Sequence, residues 1–329
     1  MMRKTFTDKN TAIQQMNTYG GEKIPFLFVI SYSQQDGWVI PLSQIPQDEI
    51  CYSIPAFSNI ADKKASSHPF YFHKSPESFS TYLEKFNYVR QQIAYGNTYL
   101  INLTCSTPVY TDLSPEDIFL LSQAKYKLWV KDLFTVFSPE PFIRISNGRI
   151  SSFPMKGTIH ADIPVAAQVL MADEKELAEH YTITDLIRND LSMVAKNVRV
   201  EAFRYLETLQ TNFGPLLQAS SVISGELQAN YAEHIGNIVF KMLPAGSVTG
   251  APKQETVRII SDCEGYDRGF YTGIFGIFDG ENLESSVMIR FIESTEKGLI
   301  FKSGGGITSF SIAEKEYQEM IDKVYVPIT

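Results

Sequence analysis

The sequence predicts an α+β fold, in which antiparallel strands form the core and helices are inserted between groups of strands. Short apolar runs bounded by Gly, Pro or Asn-Gly turns follow one another in meanders. Amphipathic helical segments separate these meanders and do not alternate with single strands, which disfavours a doubly wound parallel sheet. The 329 residues can bury a substantial core, as one large domain or two smaller ones.

Composition and charge limit the classes of function. Hydrophobic residues make up 44% of the chain and charged residues 20%, which is ordinary for a globular protein. The net charge of −8 disfavours nucleic acid as a partner, and the absence of a long apolar run predicts no membrane span. No secretory signal follows the first four residues, and the three cysteines form no CxxC pair. We therefore expect a reducing, cytoplasmic location.

Residues 1–74 are predicted to form a short β-rich segment that packs on the core. Apolar runs at 25–32, 37–42 and 50–54 are broken by Gly, Pro and Gln/Asp clusters, a pattern that is typical of strands. A polar and basic stretch at 58–69 is predicted to be a loop.

Residues 75–329 are predicted to form the catalytic domain. It starts with a helix, because Ser75-Pro76 supplies a cap and a proline at the first helical position, and apolar residues then recur at spacings of three and four. The later elements are predicted as a strand at 97–110, a short helix from 114, a meander at 130–159, a helix at 172–195, strands at 198–225, a helix at 231–243, a helix after the turn at 244–253, a meander at 270–307 and a last helix at 312–324.

An Asn147-Gly148 turn is predicted to join two strands of the first meander, because both residues tolerate the positive φ that a tight hairpin needs. Glu140 and Lys156 lie on either side of this turn. Since cross-strand neighbours are roughly 5 Å apart, we expect the two side chains to reach one ligand. Lys156 also lies between a proline and a glycine, and such a bend either aims the amine at a substrate or is an ordinary surface turn.

Two pairs of glutamates could hold a divalent cation. Glu176 and Glu179 share one face of a predicted helix, and Glu316 and Glu319 share a face of another. Magnesium takes oxygen ligands and is commonly held by one or two carboxylates together with the substrate. Acidic pairs at this spacing are also common on exposed helices, so the spacing alone leaves both interpretations open.

Three further stretches have local chemistry. Residues 185–190 place an arginine among acids and an amide, which indicates a buried, paired network. The turn at 244–253 lacks the Gly-Lys-Ser/Thr of a P-loop, and this argues against nucleotide binding. Gly304, Gly305 and Gly306 would let backbone N–H groups face a carboxylate, or would form only a flexible turn. The sequence contains no G-x-S-x-G elbow, which disfavours serine hydrolase chemistry.

Together these stretches resemble the chorismate-utilising enzymes, which include anthranilate, isochorismate, salicylate and aminodeoxychorismate synthases. The resemblance extends in the family's order from about residue 75 to the end. It implies a two-layer antiparallel β-sandwich-like core with helices packed outside. The matching segments are Phe137–Pro141, Pro154–Thr158, Glu179-His180, Asp185–Leu191, Pro244–Lys253, Arg268–Gly273, Ile289-Arg290, Gly304–Ile307 and Glu316–Lys323.

The residue at position 156 separates the branches of this family. A small residue there is typical of the anthranilate, isochorismate and salicylate branches, whereas lysine is typical of aminodeoxychorismate synthase component I. The resemblance therefore implies that Lys156 attacks C2 of chorismate, that Glu140 protonates the leaving 4-hydroxyl, and that ammonia then enters at C4. We expect no fused glutaminase, so a glutamine amidotransferase subunit is the implied partner.

The resemblance also implies a cofactor and binding residues. Mg²⁺ would be held by Glu179 and Glu319, with Glu176 and Glu316 nearby. The residues implied to bind the substrate are Gly157, Thr158, Tyr271, Arg290, Gly304, Gly305, Gly306 and Lys323.

Three positions depart from the family pattern. Leu100 stands where many members have a Gln or a Lys, and its apolar side chain disfavours addition of water to the substrate. Gln218 replaces a usual histidine, and Ile159 replaces a frequent arginine. A tryptophan-binding Leu-Leu-Glu-Ser segment is missing, so we expect no feedback by tryptophan. The alternatives are an anthranilate synthase-like activity, a non-catalytic chorismate-binding homologue, and a Schiff-base enzyme that uses Lys156.

Overall fold

A computed structural model describes residues 6–60, 69–211 and 214–328, and the following statements refer to these ranges. Most of the loop predicted at 58–69 lies outside the described residues. Within the described ranges, eighteen strands form two sheets of nine strands each, and every strand pairing is antiparallel. This confirms the predicted α+β class.

The strands and helices have the following bounds. The strands are β1 Phe26–Ile30, β2 Gly37–Pro41, β3 Ile50–Ile54, β4 Phe57–Ser58, β5 Phe72–Lys74, β6 Leu100–Thr111, β7 Tyr126–Val130, β8 Phe134–Ser138, β9 Pro141–Ser146, β10 Arg149–Ser152, β11 Met155–His160, β12 Lys196–Thr211, β13 Gly214–Glu226, β14 Gly250–Ala251, β15 Ile274–Phe278, β16 Leu283–Val287, β17 Phe291–Thr295 and β18 Gly298–Ile307. The helices are α1 Lys9–Gly21, α2 Phe79–Ala94, α3 Pro115–Leu121, α4 Ala166–Ala172, α5 Glu174–Ser192, α6 Ile235–Lys241, α7 Lys253–Glu264 and α8 Ala313–Asp322.

The two sheets differ in strand order. The first sheet runs β11-β13-β10-β9-β16-β15-β1-β2, with β12 also paired to β13. The second sheet runs β14-β6-β18-β17-β8-β7-β3-β4, with β5 also paired to β6. Strands from the beginning, middle and end of the chain are therefore neighbours, and residues far apart in the sequence meet at one end of the sheets.

The side chains of β1 point alternately to the two faces of the first sheet and show how each face is packed. Leu27 and Val29 pack into an apolar cluster that includes residues of β3, β7, β8 and β17, so they face the second sheet. Phe26, Phe28 and Ile30 point the other way, into a cluster with residues of α1, α5 and α6. Helices α2, α7 and α8 cover the opposite face of the second sheet in the same way. The two sheets thus pack against each other and helices cover their outer faces, as the resemblance to the chorismate-utilising enzymes implied.

The N-terminal region contains a helix that the sequence analysis did not predict. Residues 9–21 form α1, and Asp8 caps it by accepting hydrogen bonds from the backbone N–H groups of Asn10 and Thr11. Only a narrow stripe is buried, with Ala12, Met16 and Gly20 four residues apart, so its periodicity is weak. Interpreting the region as mainly strands was wrong here.

Two other helix starts can be compared with the prediction. The prediction that Ser75 caps α2 was wrong, because Ser78 is the cap and accepts a hydrogen bond from the backbone N–H of Thr81 at 3.2 Å. The helix at Ser114-Pro115 is confirmed, since Ser114 caps α3 through the N–H of Asp117.

Residues 1–74 contribute strands to both sheets. β1 lies between β2 and β15 of the first sheet, and β3 pairs with β7 of the second. The division at residue 74 into a packed segment and a catalytic domain stays a prediction.

Candidate active site

A pocket of about 1060 Å³ lies between the β11 end of the first sheet and β6 and β18 of the second, with α5 and α8 beside it. It collects residues from separate parts of the chain. All the site residues predicted from the sequence line it, namely Glu140, Lys156, Gly157, Thr158, Glu176, Glu179, Tyr271, Arg290, Gly304, Gly305, Gly306, Glu316, Glu319 and Lys323. Their roles stay predictions. Because they line one pocket, a single ligand could contact all of them.

A bulge in β11 directs Lys156 into this pocket. β11 pairs with β13, but the register shifts between Met155 and Thr158. Gly157 in this bulge has φ +79°, and a Cβ there would lie 2.9 Å from Leu170 and 3.1 Å from Glu176. Glycine is therefore favoured next to the lysine, because any other residue would be strained at this φ and would displace the ends of these two side chains.

The Lys156 amine forms a short ion pair inside the pocket. Its Nζ lies 2.5 Å from Oε2 of Glu179, whose side chain is 3% exposed. Burial lowers the pKa of Lys156, but the carboxylates of Glu179, Glu176 and Glu319 raise it by more, so the pKa lies above its ordinary value. The lysine is therefore held as an ammonium group in this arrangement.

The four predicted glutamates face one another across α5 and α8, and lysines stand between them. Lys175 Nζ lies 3.1 Å from Glu316 and 3.6 Å from Glu179, and it therefore links the two helices. Just after α8, Lys323 Nζ lies 2.6 Å from Oε1 of Glu319. These ion pairs offset the cost of placing several carboxylates together.

The carboxylate oxygens of this cluster are ligands that fit Mg²⁺. Within the described ranges, no three acidic, histidine or cysteine side chains are placed to hold a metal ion by themselves. However, Oε1 of Glu179 is buried and accepts no hydrogen bond. A buried carboxylate oxygen without a donor suits a cation, and Mg²⁺ usually completes its coordination with water and substrate. Glu179 together with Glu319, water and the substrate could hold the ion.

Arg290 and Lys323 place two cationic side chains in the same pocket. Arg290 donates to the backbone carbonyl of Lys323 at 2.6 Å, and its guanidinium lies 4.9 Å from the ring centre of Tyr325. Lys323 in turn donates to the carbonyl of Gly304 at 2.8 Å. Burial lowers the pKa of Arg290 and that of Lys323. Lys323 also pairs with Glu319, whereas Arg290 is held by a backbone carbonyl and can bind an anion without moving.

The Gly304–Gly306 stretch is part of strand β18, so its interpretation as a flexible turn was wrong. Here β18 pairs with β6 only, and Gly304 and Gly306 lie opposite Thr104 and Asn102. The N–H groups of Thr104 and Asn102 donate away from β18, to Glu264 and to the carbonyl of Thr249. Both glycines therefore occupy non-hydrogen-bonded positions and direct their own N–H groups away from β6, where a ligand can accept them.

Glu140 lies between β8 and β9, and Ser247 orients it. The Ser247 hydroxyl donates to Oε1 of Glu140 at 2.5 Å, and the Ser138 hydroxyl accepts from the Glu140 backbone N–H. Burial raises the pKa of Glu140, while Ser247, Lys156 and Lys323 oppose the rise only in part. A carboxyl group with a raised pKa is suited to donate a proton.

The Asn147-Gly148 hairpin is confirmed, since both residues have positive φ and β9 pairs with β10. The expectation that Glu140 and Lys156 are cross-strand neighbours was wrong. Lys156 lies on β11, which leaves the hairpin and pairs with β13, so the two side chains meet at the pocket instead.

A family model described as chorismate binding enzyme matches residues 11–329. The chain belongs to the chorismate-binding enzyme family. It is 47% identical to an uncharacterized PabA-like protein of Pasteurella multocida, over 96% of this chain and 98% of that protein. It is 28% identical to aminodeoxychorismate synthase component 1 of Bacillus subtilis, over 90% and 64% of the two chains. Its identity to anthranilate synthase component 1 of Archaeoglobus fulgidus is 32%, over 76% and 61%.

The fold of this chorismate-binding enzyme is also found in solved structures. The menaquinone-specific isochorismate synthase of Escherichia coli matches with a TM-score of 0.73 at 15% identity, over 97% of this chain and 81% of that one. At this identity the likeness concerns the fold alone, and it agrees with two antiparallel sheets covered by helices. None of the described helices has the length and apolar character needed to cross a membrane.

Lys175 and Ser247 are among the pocket residues of this chorismate-binding enzyme that were not predicted from the sequence. Lys175 precedes the glutamate pair by one residue, but nothing in a helical lysine signals a partner on another helix. Ser247 lies in the 244–253 turn, and only the tertiary contact shows that it orients Glu140.

The prediction of a buried network at residues 185–190 is correct only for Asp190. Asp190 is 5% exposed and pairs with Lys253 at 2.7 Å. Arg188 and Asp185 form a largely exposed pair, because they lie on the outer face of α5.

Proposed function

We propose that this enzyme is an aminodeoxychorismate synthase, which converts chorismate and ammonia into 4-amino-4-deoxychorismate. The observation that carries the proposal is the position of Lys156. Its amine lies 2.5 Å from Glu179 in the pocket that Glu140, Arg290 and Lys323 also line. Chorismate is a dianion, so a pocket that offers glutamates for a metal ion and the guanidinium of Arg290 suits its two carboxylates.

Lys156 is the proposed nucleophile. Its neutral amine forms a bond to C2 of chorismate, the ring double bond shifts, and the C4–O bond breaks. Glu140 gives its proton to the leaving hydroxyl, which departs as water. Ammonia then forms a bond to C4, the double bond shifts back, and the C2–N bond breaks with its electron pair returning to Lys156. The product keeps both carboxylates and carries the new amine.

The amine must be neutral to react. A lysine with an ordinary pKa is neutral in only about one molecule in 2,500 at pH 7, and the neighbouring glutamates raise the pKa of Lys156 further. Bound Mg²⁺ would supply positive charge that neutralises these carboxylates and would hold a substrate carboxylate. Glu179 thus has two proposed partners, the lysine in the free enzyme and the metal in the complex.

Leu100 supports amination over addition of water. A Cβ on Gly306 would lie 3.0 Å from Lys156 Nζ and 3.3 Å from Leu100 Cδ1, so both side chains lie against Gly306. An apolar side chain there cannot take a proton from a water molecule. The proposed partner is a glutamine amidotransferase subunit that supplies ammonia, and the proposed setting is cytoplasmic p-aminobenzoate and folate synthesis.

A product assay with the full chain tests the proposal. The protein is incubated with chorismate, Mg²⁺ and ammonium, and the products are separated by mass. We expect 4-amino-4-deoxychorismate from the wild type, and, without ammonium, an adduct on Lys156 with the mass of chorismate less water. Lys156→Ala should form neither, while Lys297→Ala, in an exposed turn, should behave as the wild type.

Other outcomes separate the rival functions. Anthranilate as the sole product would contradict the proposal in favour of an anthranilate synthase-like activity. The absence of any turnover with ammonium would indicate a non-catalytic homologue. A borohydride-trapped imine on Lys156 would indicate Schiff-base chemistry.

A further inference from the structure

Lys175 stands between two helices at the carboxylate cluster of the pocket. Its Nζ donates a hydrogen bond to Oε1 of Glu316 on α8 at 3.1 Å and lies 3.6 Å from Oε1 of Glu179 on its own helix α5. The two glutamate side chains are each 3% exposed, whereas 36% of the Lys175 side chain is exposed. One partly exposed cation therefore pairs with two buried carboxylates from different helices.

The two carboxylate oxygens of Glu179 face different lysines. Lys156 lies 2.5 Å from Oε2, and Lys175 lies in ion-pairing range of Oε1. Because 3.6 Å is too long for a hydrogen bond, Oε1 has no donor although it is buried. Oε1 is thus the oxygen of Glu179 that is most open to a metal ion, and a metal ion there would meet the ammonium group of Lys175.

We propose that Lys175 is a built-in counter-ion of the metal site, which pairs with Glu179 in the metal-free enzyme and is displaced when a divalent cation binds. The inference rests on the proposed Mg²⁺ site. Bonds from magnesium to oxygen are about 2.1 Å long, so an ion on Oε1 would lie at most about 5.7 Å from the Lys175 nitrogen. Two positive charges this close repel each other strongly in a partly buried site. Lys175 therefore lowers the affinity of the cluster for the divalent cation.

The surroundings of Lys175 allow it to move. Its long side chain is partly exposed, so the ammonium group can turn to the solvent while the backbone of α5 stays in place. In the metal-free enzyme the same group lies between Glu179 and Glu316 and offsets the repulsion between two buried carboxylates. Lys175 thus stabilises the metal-free cluster and sets the concentration of divalent cation that displaces it.

Binding of Mn²⁺ to the full chain, without chorismate, tests the proposal. Mn²⁺ takes the same oxygen ligands as Mg²⁺, and its free concentration is measured by electron paramagnetic resonance. Lys175→Met removes the ammonium group and keeps the helix propensity. We expect this variant to bind Mn²⁺ about tenfold or more tightly than the wild type, because the competing cation is gone.

Lys315→Met is the matched control. Lys315 lines the same pocket, lies in the first turn of α8 as Lys175 does in α5, and is exposed. Among the described residues it forms no ion pair. Its replacement removes the same charge from the pocket without releasing a glutamate, so we expect its dissociation constant for Mn²⁺ to stay within about twofold of wild type.

A second measurement uses the wild type and decides the matter if Lys175→Met does not fold. The protein is treated briefly with an amine-reactive ester, with Mg²⁺ or with sodium chloride at equal ionic strength, and the labelled lysines are identified by mass. We expect Mg²⁺ to increase labelling of Lys175, because its pairing with Glu179 is lost, and to leave labelling of Lys315 unchanged.

The outcomes separate this role from the proposed function, because neither measurement involves turnover. A wild type that makes no aminodeoxychorismate contradicts the proposed function only. A dissociation constant of Lys175→Met within about twofold of wild type, or equal tightening in Lys315→Met, would overturn the role of Lys175. Labelling of Lys175 that does not respond to Mg²⁺ would do the same. Glu319→Gln should weaken Mn²⁺ binding, and unchanged binding would place the ion elsewhere and overturn the proposal together with the Mg²⁺ site.

Discussion

Glu140 shows how much chemistry one residue acquires from its surroundings. In the sequence it is a glutamate after a proline, one of many acidic residues. In the structure it contacts Ser247, lines the same pocket as Lys156, and also lines a second, small cavity. Burial raises its pKa, so it can carry the proton that a leaving hydroxyl needs.

Replacing Glu140 changes how stability depends on pH. The pKa of Glu140 in the folded protein lies above the ordinary value of 4.5, so ionising this carboxyl destabilises the folded state as pH rises from 4.5 through the folded pKa. Glu140→Gln cannot ionise. We therefore expect the wild type to lose stability relative to Glu140→Gln across this window, as measured by urea unfolding at a series of pH values. Parallel curves for the two proteins would contradict the raised pKa.

A Ser247 variant tests the pKa of Glu140 in a second way. Its hydrogen bond lowers the pKa of Glu140, so Ser247→Ala should raise that pKa further and move the window to higher pH. The comparison is made between Ser247→Ala and the double variant that also carries Glu140→Gln. If their difference shows the same window as the wild-type pair, the hydroxyl does not act on Glu140.

The three glycines of β18 act together on the shape of the pocket. Three residues without side chains leave the unpaired edge of this strand open to the pocket and bring backbone N–H groups close to a ligand. Pairing with β6 on the other edge keeps the strand in place. Each glycine leaves a different space open, which makes their substitutions informative.

Gly306→Ala and Gly305→Ala form a matched pair. A Cβ at Gly306 would lie 3.0 Å from Lys156 Nζ, whereas a Cβ at Gly305 would meet its nearest neighbour, Glu319, at an ordinary 3.5 Å. We expect Gly306→Ala to lower kcat by about tenfold or more with the fold intact, because the methyl group displaces the amine. Gly305→Ala should have the smaller effect. Steady-state kinetics and circular dichroism measure both, and equal losses would show that the contact with Lys156 does not matter.

The whole molecule depends on pairings between distant segments. β1, from the first tenth of the chain, lies between β2 and β15, which is more than 240 residues further along the chain. Its side chains pack into two apolar clusters, one between the sheets and one between the first sheet and its helices. The pocket lies at one end of these layers, so it forms only after both sheets have formed.

Phe28→Ala tests this dependence. Phe28 is fully buried in β1, and its truncation should destabilise the protein by about 3–5 kcal/mol. The two tryptophans report on different sheets, Trp38 on β2 and Trp129 on β7. In single-tryptophan variants we expect Phe28→Ala to shift both denaturation midpoints equally. A shift of the Trp38 midpoint alone would indicate that residues 1–74 unfold as a separate unit.

Sequence patterns were sufficient where the physics is local. Alternating apolar residues predicted most strands, Asn-Gly predicted the hairpin, and Ser114-Pro115 predicted a helix start, because each depends on a few adjacent backbone angles. Ordered motifs also predicted the family and the set of residues that line the pocket. Helix α1 was missed because its buried stripe is narrow. Its stability comes from contacts with α6 and with the residues that precede α6, which are more than 200 residues further along the chain.

Tertiary structure alone decided which groups contact one another. The sequence by itself determined the fold class and named Lys156 and the four glutamates. Only the folded chain placed Lys156 on β11 instead of the hairpin, set Lys175 between two helices, and put Glu140 between a pocket and a cavity. Pairing partners and pKa values depend on distances between residues that are remote in sequence, and no local pattern contains those distances.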